Sequence, residues 1–104
     1  MEEYKVIVLP SAAADLDRII DYLNTLSPSA AVGHSSAIIE AIDSLTILPN
    51  RCPPARDRIL ADSGYRYLIV KTYLIFYTVS GDTVLIRHIA DGRSHLSKKK
   101  LDAD

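Results

Sequence analysis

The chain is poor in the residues that most often betray a function. Only one of its 104 residues is cysteine and only four are glycine. A single thiol, Cys52, cannot close an internal disulfide, which excludes a disulfide scaffold and points to a reducing compartment. One cysteine and three dispersed histidines provide no metal-ligand spacing, and no glycine-rich loop is present to cradle a phosphate. Neither a metal nor a cofactor is therefore expected. No run approaches the ~20 apolar residues that span a bilayer, and the N-terminus has no basic region followed by an apolar core and a cleavage site. The expectation is a soluble, cytoplasmic protein with no membrane association. There are no internal repeats, and a chain of this length predicts one domain, with a compact part over about 3–95 and a tail over 96–104.

What is present is unevenly distributed. The formal net charge is −1, yet residues 1–50 carry two basic against seven acidic side chains, and residues 51–104 carry ten basic against six acidic. A basic half attracts phosphate or an acidic protein partner.

The stretch 64–93 organises the rest. Three runs rich in Val, Ile and Tyr are broken at Lys71-Thr72 and at Ser80-Gly81-Asp82, and breaks that short join antiparallel strands only. Upstream, Tyr4 to Leu9 is apolar nearly throughout and reads as a strand inside a sheet. Pro10 ends it, and Ser11 is placed to cap a helix over about 12–26, with Asp15 near the positive end of its dipole. Leu16, Ile19, Ile20, Leu23 and Leu26 fall on one face of that helix. Ser27-Pro28 restarts the chain as a second helix to about Leu48, antiparallel to the first because the connection is short. Residues 49–63, with three prolines and Arg51, Arg56 and Arg58, read as a loop, with a turn or short strand at 57–61. Its length is that of functional or mobile loops.

The order strand, helix, helix, three strands predicts an α+β fold, a two-helix antiparallel hairpin on one face of a mainly antiparallel four-stranded sheet. In the first run of the meander, Arg66, Leu68 and Val70 alternate with Tyr65, Tyr67 and Ile69, so both faces are apolar or aromatic. A second apolar face predicts a protein that forms half of a complex.

These residues resemble a known family. Gly64-Tyr65-Arg66-x-Leu68-x-Val70-x-x-Tyr73-x-Ile75-x-Tyr77, then Gly81-Asp82-x-Val84, then Ile89-Ala90-Asp91-Gly92-Arg93, is similar to the RelE/ParE superfamily of bacterial toxins from type II toxin–antitoxin modules. Pro-Ser-Ala-Ala-Ala-Asp-Leu, Ile-x-x-Tyr-Leu and Ser-Pro-x-Ala-Ala look like the helical hairpin of the ParE-like branch. The likeness covers roughly residues 4–95. It departs at Asp91, where many relatives have His or Tyr, at Ser94-His95 in place of Asp, and at His88, where a strand arginine is frequent.

The resemblance implies a growth-inhibiting toxin, a plasmid-stabilisation type of protein, in a hetero-oligomer with a cognate antitoxin. On the ParE-like reading it interferes with DNA gyrase without chemistry of its own. The RelE-like alternative is a metal-independent endoribonuclease that cuts mRNA on the ribosome, and a third is a non-toxic binding module with the same fold. A nuclease would need a cation for the developing phosphorane charge and a proton donor and acceptor. Arg66 and Arg93 match the basic site positions of the nucleases, guanidinium grips phosphate with a fork, and His95 is the candidate acid or base. Arg66, Tyr67, Arg87, His88 and Arg93 are the candidate binding residues. His88, mid-strand, is expected to be structural, and His34 to lie on the surface. The tyrosines either stack on bases or bury their rings, with Phe76 and Tyr77 expected in the core.

The acidic helical half would be repelled from RNA phosphates, and the long hairpin suits the ParE-like branch, so gyrase is the favoured target.

Overall fold

A computed structural model describes residues 3–92. Strand β1 (Lys5–Val8) leads into helix α1 (Pro10–Leu26), which turns back as α2 (Pro28–Asp43). A short helix α3 (Arg58–Asp62) follows, and then strands β2 (Arg66–Val70), β3 (Tyr73–Ser80) and β4 (Thr83–Asp91). The sheet order is β1-β4-β3-β2, with the expected antiparallel meander over β2, β3 and β4. Each meander turn holds a residue at positive φ, Lys71 at 53° and Gly81 at 60°. At Gly81 an added Cβ would be strained by that backbone conformation.

The first strand departs from expectation twice. It lies at an edge of the sheet, and it runs parallel to β4, with Val6 beside Val84 and Val8 beside Ile86. Parallel neighbours require a long crossover, and here the helical hairpin lies between the two strands in sequence. Position at the edge leaves Ile7 and Val8 about two-fifths exposed, while Val6 packs on the core. The apolar run signalled the strand but not its place.

Pro10 begins α1 instead of only ending the strand. Leu9 is the cap residue and offers no side-chain bond, so Ser11 does not cap the helix. The Ser11 hydroxyl instead donates to the carbonyl of Arg87, at 2.8 Å, on β4. Ser27 does cap α2, its Oγ accepting from the Ala30 N–H, with Pro28 in the first turn. Helix α2 stops at Asp43, five residues before the expected end, and a 3-10 turn over Ser44–Thr46 replaces its last turn. The guanidinium of Arg51 closes this end, donating to the carbonyls of Ser44, Ile47 and Leu48 and to the Ser44 hydroxyl. It thereby ties the cap residue of α2 to the chain that leaves the 3-10 turn.

Register separates the two sheet faces. Leu68, Val70, Tyr73, Ile75, Tyr77, Val84, Ile86 and Ile89 face the helices and meet Ala12, Leu23, Ala31, Ile38, Ile42 and Leu45 in the main core. The opposite face is not bare, as the two apolar faces had suggested. The 49–63 segment folds back over part of it, and Ala55 and Leu60 form a second, smaller core with Phe76 and Ala90, flanked by Tyr65, Tyr67 and Leu74.

This segment is held, not loose. Ala55 N–H donates to Tyr65 O at 2.8 Å and Tyr67 N–H to Pro53 O at 3.2 Å, which continues the sheet past the edge of β2. Asp57 caps α3 by accepting from the N–H groups of Ile59 and Leu60. The expected turn or strand at 57–61 is thus a single capped helical turn.

Candidate interaction site

The candidate residues lie in three places around the sheet. Arg66 opens β2 opposite Tyr77, so its side chain starts on the helix-covered face. There its Nη1 donates to the carbonyl of Cys52. Its partner is a backbone oxygen and not a carboxylate. Beside it the Tyr77 hydroxyl is fully buried and donates to Pro49 O at 2.5 Å. Burial, and next the adjoining Cys52 side chain, push the Tyr77 hydroxyl well above its ordinary value, against the opposing pull of Arg51 and Arg66. Arg66 thus helps hold the 49–63 segment to the sheet.

His88 sits at the outer side of β4, beyond the point where β1 has ended. Its Nδ1 lies 3.3 Å from Oδ2 of Asp15, and the same oxygen accepts the Ile89 N–H at 2.9 Å. The other oxygen, Oδ1, pairs with Arg18, which is largely exposed. Asp15 is itself 7% exposed. Its carboxylate therefore does for β4 what the next residue of β1 would have done, completing the ladder from α1. The expectation that His88 is structural agrees with this contact.

From the sequence, Asp15 is only a charge near a helix dipole. The overlooked signal was its position, three residues after Ala12 and four before Ile19, on the inward stripe of α1. His34, expected on the surface, is partly buried, with Nδ1 3.0 Å from the Tyr73 hydroxyl and its ring edge-on to that tyrosine.

The third place is the face opposite the helices. Arg87 enters it at a β-bulge, where the register between β3 and β4 shifts after Phe76. Its Nε donates to Thr78 Oγ1 at 3.1 Å and its guanidinium carbon lies 5.9 Å from the centre of the Tyr65 ring. Next along β2, Tyr67 tilts against Phe76 and its hydroxyl accepts from Arg56 Nε at 3.3 Å. Tyr67 and Arg87 are thus brought together on one face, while Arg66 is on the other and His88 is at the β4 edge with Asp15. Tyr65, one of the tyrosines left between stacking and burial, joins this cluster, and so does Arg56, which was not among the candidates because nothing local in the sequence says which arginine of a loop lies over a strand. Arg93 and His95 lie outside the described residues. Among the described residues no group of three or more His, Cys, Asp or Glu side chains is placed to hold a metal ion.

Comparison with known proteins agrees with this architecture. No curated protein matches the chain. A solved structure of the chromosomal ParDE toxin–antitoxin system from P. aeruginosa shares its fold, with a TM-score of 0.73 at 24% identity, over 86% of this chain and 96% of that one. The toxin–antitoxin complex RelBE2 from Mycobacterium tuberculosis is similar at a TM-score of 0.61 and 23% identity, over 88% and 93%. Residues 6–96 match the family described as the ParE toxin of the type II toxin–antitoxin system parDE. With nearly the whole chain inside that match, and with a hairpin-on-sheet fold common to both structures, the chain belongs to the ParE toxin family of type II toxin–antitoxin systems.

Proposed function

We propose that this toxin arrests bacterial growth by engaging DNA gyrase in the cytoplasm, and that a cognate antitoxin protein neutralises it by forming a hetero-oligomer. The observation that carries this reading is that, among the described residues, Arg66 and His88 do not converge on one point. RNA cleavage asks a cation and a proton-transfer pair to converge within hydrogen-bond reach of one phosphate. Arg66 is bonded to Cys52 O under the helices, and His88 is bonded to Asp15 at the β4 edge. A protein that acts by binding gyrase needs a surface instead. The family match favours the same branch.

The RelE-like reading draws on one specific feature, the Tyr65–Arg87 and Tyr67–Arg56 pairs on a single face, since aromatic rings beside guanidinium groups suit a single-stranded RNA. Under that reading Arg93 and His95 supply the chemistry. Induced expression in bacteria, with DNA supercoiling, the DNA-damage response and mRNA integrity on translating ribosomes followed together, separates the two. Relaxed DNA and intact mRNA are expected. Codon-positioned mRNA cuts that disappear in Arg93→Ala or His95→Ala, with supercoiling unchanged, would replace the gyrase reading. Normal growth after induction, with or without the antitoxin, would instead favour a non-toxic module.

A further inference from the structure

The two edges of the sheet are treated differently. The β2 edge is covered where Ala55 N–H donates to Tyr65 O and Tyr67 N–H to Pro53 O. At the β1 edge the Lys5 and Leu9 N–H groups turn inward, to Asp82 O at 2.9 Å and Ile86 O at 3.0 Å, while the Tyr4 N–H turns outward to Thr46 O at 2.7 Å. Backbone groups alternate in direction along a strand, so Val6 and Val8 aim theirs outward, away from β4. Among the described residues no backbone group pairs with them on that side. The usual protections of an edge are missing here. Strand β1 contains no proline and no bulge, and its one charged residue, Lys5, stands at its start. Three β-branched residues in succession, Val6-Ile7-Val8, occupy the open stretch, and Ile7 and Val8 are exposed. That stretch has fixed ends. Thr46 fills the place beside Tyr4, and Pro10 has no N–H and begins α1.

We propose that this edge pairs with the same edge of a second copy of the chain, antiparallel about a two-fold axis at Ile7. Side chains must stay on matching faces of the joined sheet, which restricts the pairing to residues of like parity. Setting Ile7 opposite Ile7 of the second copy places Val6 opposite Val8 in both directions. The valines are the residues with outward N–H and C=O groups, so two hydrogen-bonded pairs close four bonds. The side chains agree with the backbone. Ile7 meets its own copy on the face opposite the helices, and the valines meet on the helix side, so every cross-strand pair is β-branched and apolar. Charge agrees as well. Lys5 falls opposite Leu9 of the second copy, and the two lysines stand four residues apart along the strands, roughly 13 Å, so like charges do not oppose. A phosphate backbone carries no donors for the valine carbonyls, and an acidic segment would find a single lysine at one end of the stretch. The second copy brings a donor, an acceptor and an apolar neighbour to each position. Because the β2 edge is covered, the contact closes at two copies instead of propagating. Nothing in this pairing depends on the target of the toxin.

Sedimentation equilibrium of the purified full chain from about 5 to 500 µM tests this, and a reversible monomer–dimer equilibrium in the micromolar to submillimolar range of small interfaces is expected. Ile7→Lys sets lysine against lysine at the axis and should weaken the association about tenfold or more. Val8→Pro removes a donor that the single copy does not use, and should act in the same direction. Both variants are checked for a native circular dichroism spectrum, and Val8→Pro and the cysteine variants carry the test where Ile7→Lys fails to fold. Cysteines then read the register. Neighbours in a non-hydrogen-bonded antiparallel pair hold their Cα atoms about 4.5 Å apart, within the span of a disulfide, so Ile7→Cys should cross-link the dimer under mild oxidation. Lys5→Cys, at an equally exposed position, should cross-link about tenfold more slowly or less, because its copies stand too far apart. Wild type, whose Cys52 is buried, is the blank. A chain that stays monomeric across the whole range would overturn the proposal. So would an association undiminished in the folded Ile7→Lys or Val8→Pro variant, or Lys5→Cys cross-linking as fast as Ile7→Cys.

Discussion

The two faces of the sheet are built on opposite plans. The helix-covered face is a closed core in which Ile75, Tyr77, Val84 and Ile86 have no solvent exposure. The other face is half closed, by a segment held with two backbone bonds and a four-residue cluster, and its remainder mixes apolar side chains with cations. The difference assigns the larger share of the stability to the helix-covered side. A face that must hold the fold needs dense contact and satisfied polar groups.

Substitutions can break that comparison, and the largest effect is expected at Ile75→Ala. An alanine at a fully buried position between sheet and helices should cost about 3–4 kcal/mol in urea unfolding, from lost transfer energy and the cavity left behind. Leu60→Ala, under the smaller roof, should cost about 2 kcal/mol, and equal losses at the two sites would mean that both faces are core.

Next comes Asp15→Ala, which orphans the Ile89 N–H and removes the His88 contact, at about 3 kcal/mol; Asp15→Asn keeps an acceptor and should cost about 1 kcal/mol. An Asn variant as damaging as the Ala variant would mean that the charge matters more than the bond.

Tyr77→Phe is expected to cost about 1–2 kcal/mol at neutral pH, through the unsatisfied Pro49 carbonyl. It also sharpens the comparison through pH. The folded Tyr77 holds its proton above the pH at which the unfolded tyrosine loses it, so the stability this provides is complete below about pH 10 and falls as pH rises beyond that. Wild type should therefore lose stability more steeply than Tyr77→Phe above pH 10, by up to about 1.4 kcal/mol per pH unit. Parallel slopes would show the hydroxyl to be in contact with water.

The smallest effect belongs to the exposed outer edge of β2. Ile69 is 57% exposed on β2, and Ile69→Ser should shift the unfolding midpoint by no more than about 0.5 kcal/mol equivalent.

Much of this was legible along the chain. The β-branched and aromatic runs broken at Lys71-Thr72 and Gly81-Asp82 announced the meander, and the Leu and Ile spacing with Ser27-Pro28 announced the hairpin. Phe76 and Tyr77 were assigned to the core, where they lie, though on opposite sides of the sheet. The site was less legible. Arg66 and Tyr67 are adjacent in sequence and point to opposite faces, so a list of basic and aromatic residues could not say which of them act together. Asp15 lies 73 residues from His88, and Ser11 lies 76 residues from Arg87, so neither contact leaves a local pattern.

The sequence by itself determined the two long helices, the strands and their order, because helix and strand periodicity and turn chemistry are properties of neighbouring residues. Only the tertiary structure decided that β1 runs parallel at an edge, that the 49–63 segment roofs half of the second face, and that Asp15 completes the β4 ladder. Each of these depends on which backbone groups still lack partners once the chain has packed, and a buried N–H takes whatever acceptor the fold brings to it, however distant in sequence.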